Sequence, residues 1–374
     1  MDCADASVVR DAGTRLHGPV PPCAPAFGIF RCFFGEAGLA GSFGSATVRW
    51  MIAWQLPTLG DVLEARRRIS GHLRPTPLYG YASLNELLGA EVFVKHENHQ
   101  PVGAFKVRGG VNLVSQLGPE ERQSGVIAAS TGNHGQSIAY AARLFGVRAT
   151  ICVPQDANPV KVASIRGLGA ELVFHGRDFD EAREHAEKLA RERGYRYVHS
   201  GNEPLLIAGV GTETLEILEE QPQIEVIVVP IGGGSGAAGA CIVAKTINPS
   251  VRVIGVQSDA APAAFRSWRE RRLVEDRTNT FAEGLATRTP FELPQRILWR
   301  WLDDFVLVSD DEIRAAQAVM IEATRNLIEA SGAAPLAAAL RLGAELASRR
   351  VALIASGGNV TRAQLLEVLS EASI

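Results

Sequence analysis

Short apolar runs alternate with amphipathic segments along the chain after residue 125. The apolar runs predict buried strands, and the segments whose apolar positions recur three and four residues apart predict helices. The predicted strands are Val126–Ser130, Arg148–Val153, Glu171–Phe174, Ile224–Ile231, Val251–Val256 and Val351–Ala355. The predicted helices are Ile138–Phe145, Val160–Leu168, Asp178–Arg193, Ala237–Ile247, Asp310–Ile328 and Arg362–Leu369. Strands separated by helices indicate parallel sheets covered on both faces, so the predicted fold class is α/β.

Two regions do not follow this alternation. Residues 1–50 contain three of the five cysteines, a proline cluster and a Gly/Ser/Ala-rich stretch, without a sustained period. We expect them to form a poorly ordered extension, one candidate origin of which is a wrongly assigned translation start. A targeting or partner-binding arm is the alternative. The segment Arg266–Pro294 is charged and irregular, which predicts a long surface or lid excursion.

A regular pattern begins near Met51. The residues Thr58-Leu-Gly-Asp61 resemble a capping box, which predicts the start of a helix. Val62, Leu63 and Ile69 are predicted to lie on one face of that helix.

Composition narrows the class of protein. The chain has 374 residues, of which 46% are hydrophobic and 21% charged, as in a soluble globular protein of about two domains. A net charge of −3 without a basic patch argues against a nucleic-acid partner. No apolar run reaches the roughly 18–20 residues of a membrane span. Five cysteines without metal-type spacing favour a reduced cytoplasm, and Cys152 is predicted to be a buried thiol.

Four short stretches contain the candidate chemistry. They read NHQPVGAFKVRG at residues 98–109, STGNHGQ at 130–136, GGGSG at 232–236 and SGGN at 356–359. The last three follow predicted strands. Because α/β sheets bind ligands beyond the carboxyl ends of their strands, we expect these stretches to lie at a binding site.

The glycine-rich stretch Gly232–Gly236 follows a predicted strand and precedes a predicted helix. Glycines let backbone N–H groups approach an anion, and a helix N-terminus adds positive potential. The spacing matches neither the dinucleotide nor the nucleoside-triphosphate motif, so it favours a compact monophosphate. A tight turn with close packing is the alternative.

The other three stretches supply an amine and two polar turns. Lys106 lies among apolar neighbours, and burial or a nearby cation would lower its pKa and make it a base or nucleophile. The alternative is that Lys106 is an ordinary surface lysine. Arg108 is close to Lys106 in sequence, but the sequence does not show whether its side chain points towards Lys106. The free N–H groups of the turn at Ser130–Gln136 are suited to bind a substrate carboxylate. The alternative is that this turn only caps the helix that follows it. The Ser356 hydroxyl could bind a pyridine nitrogen without protonating it.

With these four motifs in order, the chain from Met51 onwards resembles the fold-type II pyridoxal-phosphate enzymes, in particular the serine/threonine dehydratase (ammonia-lyase) and serine racemase group. The resemblance implies two open, twisted, mostly parallel sheets with helices on both faces and pyridoxal 5'-phosphate in the cleft between domains. It also implies a large domain of residues 51–122 plus 203–374, a small domain of residues 123–202, and a homodimer.

The resemblance also implies residue roles. Lys106 would be the Schiff-base lysine and catalytic base, with Phe105 beside the cofactor ring. Asn133 would bind the phenolic oxygen and Ser356 the ring nitrogen. The phosphate would be bound by Gly232, Gly233, Gly234, Ser235 and Gly236. The substrate carboxylate would be surrounded by Ser130, Thr131 and His134, and Thr131 would be the second catalytic residue.

The chain departs from the family pattern at several positions. Ala104 stands where the family usually has serine, and Thr131 replaces the serine that serves racemases on the face opposite the lysine. The carboxylates that bind a divalent cation in the racemase subgroup fall near Gln257 and Ala263 of this chain, so we expect no metal site. The chain ends soon after Asn359, and we expect no C-terminal regulatory domain.

The implied reaction is β-elimination from a small 3-hydroxy amino acid, such as L-threonine or L-serine, to a 2-oxo acid and ammonia. Two alternatives keep the cofactor: racemisation of serine, and dehydration of a bulkier substrate such as 3-hydroxyaspartate or phenylserine. A third belongs to a different class, a non-catalytic module that binds a nucleotide or effector. Thr131 and the missing carboxylates favour the dehydratase over the racemase.

Overall fold

The structure is a computed structural model that describes residues 56–130 and 132–371. The predictions for residues 1–50 and for Thr131 lie outside these residues. The strands are β1 Leu78–Gly80, β2 Glu91–His96, β3 Val126–Ala129, β4 Ala149–Val153, β5 Glu171–Phe174, β6 Arg196–Tyr197, β7 Val226–Pro230, β8 Arg252–Ser258, β9 Asp304–Val308 and β10 Arg350–Ala355. The helices are α1 Leu59–Ile69, α2 Ala82–Leu88, α3 Lys106–Val114, α4 Pro119–Ser124, α5 Asn133–Leu144, α6 Pro159–Gly167, α7 Phe179–Arg193, α8 Pro204–Glu220, α9 Ser235–Ile247, α10 Ala263–Glu270, α11 Glu292–Trp301, α12 Asp310–Thr324, α13 Ala330–Leu342 and α14 Arg362–Glu371.

The strands form two sheets, and the predicted α/β class with mostly parallel sheets is confirmed. The larger sheet has the order β1-β2-β10-β7-β8-β9, and only its β1–β2 pair is antiparallel. The smaller sheet has the order β5-β4-β3-β6 and is parallel throughout. The predicted domain boundaries near residues 123 and 202 stay a prediction.

Register places the ends of the central strands beside one another. In the larger sheet Leu353 of β10 pairs with both Val94 of β2 and Val228 of β7. In β7 Val226–Val229 are buried, as expected for strands covered by helices on both faces. The segments that follow β3, β7 and β10 therefore leave the carboxyl ends of parallel strands.

Several sequence predictions need correction. Helix α5 begins at Asn133, five residues before the predicted start, so most of the STGNHGQ stretch is helical. Helix α12 ends at Thr324 and not at Ile328, because Arg325 adopts a left-handed conformation with φ of 60°. The capping box at Thr58 is confirmed, and Val62 and Ile69 are buried, but Leu63 is 41% exposed and does not share their face.

The predicted surface excursion Arg266–Pro294 was also wrong in part. It contains most of α10 and the start of α11, and Leu285 within it is fully buried. Cys152 is buried as predicted, and burial raises the pKa of its thiol to about 11. No helix in the described ranges is long and apolar enough to cross a membrane.

Candidate active site

Lys106 is the first residue of α3 and points at the glycine-rich stretch. Its Nζ donates a hydrogen bond of 2.8 Å to Oγ of Ser235 and lies 4.5 Å from the centre of the Phe105 ring. Burial lowers the pKa of Lys106 to about 8, although the carboxylates of Glu213 and Glu329 oppose this shift. The uncharged fraction of the amine near neutral pH is therefore much larger than for an ordinary lysine, and this fraction can act as a base or nucleophile.

The stretch Gly232–Gly236 links β7 to α9 and has little room for side chains. Gly234 has a φ of +87°, a conformation that disfavours other residues. A Cβ atom on Gly232 would lie 2.1 Å from the carbonyl oxygen of Gly284. The first amides of α9 have no partner within the helix, and its dipole favours an anion at this end. The stretch thus fits a phosphate group.

The SGGN stretch following β10 pairs with the residues just before Lys106. The amide of Phe105 donates to the carbonyl of Ser356 at 3.0 Å, and the amide of Gly358 donates to the carbonyl of Gly103 at 2.9 Å. These bonds place Ser356 beside Phe105. The predicted contact of its hydroxyl with a ring nitrogen stays a prediction.

Asn133 joins the STGNHGQ stretch to the SGGN stretch. Its Nδ2 donates to Oε1 of Glu329 at 2.8 Å, and its Oδ1 accepts from Nδ2 of Asn359 at 2.8 Å. Helix α5 is fixed to α3 by the Ser137 hydroxyl, which donates to the carbonyl of Lys106 at 2.7 Å. All four stretches therefore meet around Lys106, and for the three that follow predicted strands this agrees with the expectation that they lie together at strand ends.

Ser130 and His134 have structural partners. Oγ of Ser130 accepts hydrogen bonds from the amides of Gly132 and Gly135, so it shapes the start of α5. Nε2 of His134 lies 3.3 Å from the carbonyl of Val198, and burial lowers the pKa of the imidazole to about 3. His134 is therefore neutral and offers no charge to a carboxylate. The predicted roles of Ser130, Thr131 and His134 stay predictions.

The sequence did not identify two carboxyl groups near Lys106. Glu329 precedes α13 and accepts hydrogen bonds from Asn133 and, at 3.0 Å, from the Ser331 hydroxyl. Glu213 lies within α8, and its Oε1 is 3.7 Å from the position of a Cβ atom on Gly236. An acidic residue within the largely apolar run LLIAGVGTETLEIL was the available signal for Glu213.

Arg108 points away from Lys106 into a group that we call the buried ion cluster. Arg108 makes paired hydrogen bonds of 2.6–2.8 Å to Glu97 and Glu216, and Lys95 donates to Glu216 at 2.6 Å. The cluster consists of Lys95, Glu97, Arg108 and Glu216. Arg108 therefore stabilises the packing of α3 against α8 and is not the cation that lowers the pKa of Lys106.

The assembled groups fit pyridoxal phosphate. A primary amine of lowered pKa suits an aldehyde, and a glycine-lined helix N-terminus suits a single phosphate group. The amide of Asn133 and the hydroxyl of Ser356 are uncharged hydrogen-bonding groups at the same site. The set includes none of the features that bind a second phosphate or a nucleoside in the known motifs.

Gln257 and Ala263 lie near the positions at which the resemblance implied that the carboxylates for a divalent cation are missing. Oε1 of Gln257 accepts from the amide of Phe265 at 3.1 Å, so an uncharged amide connects β8 to α10. Within the described ranges no three His, Cys, Asp or Glu side chains are placed to hold a metal ion. The absence of a metal site stays a prediction.

Divalent cations are expected to leave the activity of this protein unchanged, because neither Gln257 nor Ala263 provides a charged ligand. Activity is measured in EDTA and after addition of Mg²⁺ or Ca²⁺. A double variant of this protein, with Gln257→Glu and Ala263→Asp, serves as the comparison. The activity of this variant is expected to depend on these cations. Inactivation of the unaltered protein by EDTA would contradict the expectation.

Comparison with known proteins agrees with this chemistry. The family model described as pyridoxal-phosphate dependent enzyme matches residues 69–357. An L-threonine ammonia-lyase of Thermotoga maritima is 40% identical over 305 residues, covering 81% of this chain and 76% of that protein. An L-threo-3-hydroxyaspartate ammonia-lyase of Saccharomyces cerevisiae is 37% identical over 316 residues, covering 84% of this chain and 97% of that protein. The structure of maize serine racemase matches with a TM-score of 0.80 at 31% identity, covering 84% of this chain and 97% of that one.

Proposed function

Since this chain belongs to the family of pyridoxal-phosphate dependent enzymes, we propose that it eliminates the β-hydroxyl of a small 3-hydroxy amino acid, such as L-threonine or L-serine. The products are a 2-oxo acid and ammonia. The observation that carries the proposal is the meeting of Lys106 with the glycine-rich stretch through Ser235. The similarity to an L-threonine ammonia-lyase over 81% of the chain supports the choice of reaction.

The proposed mechanism assigns two tasks to Lys106. Its amine holds pyridoxal phosphate, whose ring, when bound, accepts electron density from the substrate Cα. Once free, the same amine removes the Cα proton, and a pKa of about 8 keeps it available as a base near neutral pH. The hydroxyl group of Ser356 would face the ring nitrogen without a formal charge. Because a serine does not protonate a pyridine, this favours elimination or racemisation over transamination.

The N-terminus of α5 is the proposed site for the substrate carboxylate. Its free amides and helix dipole favour an anion, and Ser130 fixes the turn by accepting from Gly132 and Gly135. The neutral His134 lies behind this turn, against the carbonyl of Val198. Binding of the carboxylate therefore depends on backbone groups more than on a charged side chain.

L-threo-3-hydroxyaspartate is the second candidate substrate. Nζ of Lys161 lies 3.4 Å from the position of a Cβ atom on Gly132, at the proposed carboxylate site. Lys161 forms an ion pair with Glu283, so a substrate with a second carboxylate would have to compete with Glu283 for the ammonium group. Because of this competition, we rank L-threo-3-hydroxyaspartate below L-threonine and L-serine as a candidate substrate.

A panel of amino acids tests the proposed reaction. The protein is incubated with L-threonine, L-serine, 3-hydroxyaspartate and phenylserine, and both 2-oxo acid formation and loss of chirality are followed. We expect 2-oxo acid from L-threonine or L-serine to exceed racemisation. Thr131→Ala is expected to remove residual racemisation and to retain elimination. Racemisation faster than elimination, and lost in this variant, would instead support an amino-acid racemase.

We further propose that the protein is a cytoplasmic homodimer with a large domain of residues 51–122 plus 203–374 and a small domain of residues 123–202. The two sheets support the division, because the strands of the smaller one lie between residues 126 and 197. Sedimentation analysis of the full chain tests the homodimer.

A further inference from the structure

Glu213 is a buried acidic side chain to which the proposed reaction assigns no task. It is 1% exposed on α8, and its Oε2 has no hydrogen-bond partner among the residues that the structure describes. A buried carboxyl group in this position is costly unless it is protonated or compensated by a cation. The charged groups around Glu213 therefore indicate whether it is protonated or compensated by a cation.

The carboxyl group lies beneath the cofactor-binding groups. Oε1 of Glu213 is 3.7 Å from the position of a Cβ atom on Gly236, and Cε2 of Phe105 is 3.1 Å from the same position. Nζ of Lys106 lies over that Phe105 ring and donates to the neighbouring Ser235. Glu213 is thus placed next to the glycine-rich stretch and the lysine.

Charge balance singles out Lys106 as the cation that can compensate Glu213. The buried ion cluster beside Glu213 has two cations and two anions that pair with one another, so its net charge is zero. Lys106, by contrast, has a neutral hydroxyl as its hydrogen-bond acceptor. Outside the cluster, Glu213 is therefore a buried group that can carry a negative charge, and Lys106 is a buried group that can carry a positive one.

The other titratable groups facing Lys106 do not replace Glu213. Glu329 already accepts hydrogen bonds from Asn133 and Ser331. His134 is neutral, because burial lowers the pKa of its imidazole to about 3. Glu213 alone combines deep burial with an unpartnered oxygen among these neighbours.

We propose that Glu213 and Lys106, although not in direct contact, together hold one proton, either as ammonium and carboxylate or as amine and carboxylic acid. An ammonium and a carboxylate become a neutral amine and a carboxylic acid, and the net charge of the pair stays zero. Glu213 is then a positioning residue that acts through Lys106. The idea rests on Lys106 being the reacting amine of the proposed function.

The titration behaviour of the two groups agrees with this coupling. Burial raises the pKa of Glu213 well above its ordinary value, and the carboxylates of Glu97 and Glu216 raise it further, although Arg108 and Lys95 oppose this shift. The pKa of Lys106 is lowered by burial and raised by Glu213. The two pKa values therefore approach each other, which is the condition for one proton to be shared.

The test measures the titration of the Lys106 amine in the full chain. Competitive labelling with acetic anhydride across a pH series, followed by peptide mass spectrometry, reports each lysine separately, and the exposed Lys188 is the internal reference. Labelling is done after removal of the cofactor, with circular dichroism to verify the fold. The pH midpoint of the visible cofactor absorbance is measured in parallel on the loaded protein.

Glu213→Gln is expected to lower the pKa of Lys106 by about one unit or more, because an opposite charge nearby is lost. Thr214→Val removes an unpartnered buried hydroxyl from the same helix without changing a charge and is expected to leave the Lys106 titration unchanged. If Glu213→Gln does not fold, Glu213→Met gives the same comparison.

An unchanged Lys106 midpoint in a folded Glu213 variant would overturn the proposal. Because labelling requires neither cofactor nor substrate, this result is independent of the proposed reaction. Failure of the proposed function would instead appear as a lack of 2-oxo acid formation with the Glu213 coupling intact.

Discussion

Replacing Lys106 with alanine is expected to remove both the visible absorbance of the purified protein and its turnover. The amine is the group that holds the cofactor and the base that removes the Cα proton in the proposed reaction, and Nζ lies at the glycine-rich stretch. Loss of a positioned general base alone lowers rates by about 10²–10⁴-fold. The measurements are an absorbance spectrum and an assay of 2-oxo acid formation.

Two variants separate the amine from other contributions of lysine. Lys106→Arg retains a positive charge but has no reactive amine, so it is expected to be as inactive as the alanine variant. Lys188→Ala removes an exposed lysine and is expected to leave spectrum and turnover unchanged. Borohydride reduction of the unaltered protein should fix the cofactor to the peptide that contains Lys106. Retained absorbance and turnover in Lys106→Ala would show that another residue holds the cofactor.

One helix that the sequence pattern failed to predict shows the limit of prediction from hydrophobic periodicity. Helix α8, Pro204–Glu220, is buried along most of its length and so lacks the alternation of apolar and polar positions that marks a surface helix. Gly209 and Gly211 within it look like helix breakers. In the structure a Cβ atom on Gly209 would lie 2.6 Å from Cα of Gly109, so these glycines permit close helix packing.

The sequence predicted the separate stretches of the candidate site, but not the carboxyl groups of Glu213 and Glu329 near Lys106. Lys106 and the three polar turns could be found because each has a local signature, and parallel strands bring their carboxyl ends together. The contacts of Asn133 with Glu329, and of Glu213 with the region beneath Gly236, join residues far apart in sequence. Such pairings depend on the packing of α8 and α13, which local periodicity does not determine.

The buried ion cluster links this packing to the site. Arg108 follows Lys106 by two residues on α3, and it binds Glu97 at the end of β2 and Glu216 on α8. Burial would lower the pKa of Arg108, but both glutamates raise it above its ordinary value, while Arg108 keeps the pKa of the buried Glu97 below the ordinary value. These three side chains fix the direction of α3 relative to α8, and through it the position of Lys106.

Arg108→Met is therefore expected to cause the largest loss of stability among the changes considered for this protein. It retains much of the side-chain volume but leaves Glu97, which is fully buried, without its cationic partner. Breaking a buried ion pair by removing one partner costs about 3–5 kcal/mol. The free energy of unfolding is measured by urea titration with the cofactor kept saturating for every variant.

The second substitution Glu97→Leu distinguishes an uncompensated charge from a loss of packing. If the cost of Arg108→Met comes from the unpaired carboxylate, the double variant is expected to be more stable than Arg108→Met alone. The surface variant Arg177→Met breaks an exposed pair with Glu181 and is expected to change stability little. A double variant no more stable than the single one would mean that Arg108 stabilises α3 and α8 by packing, since removing the buried charge would then have brought no gain.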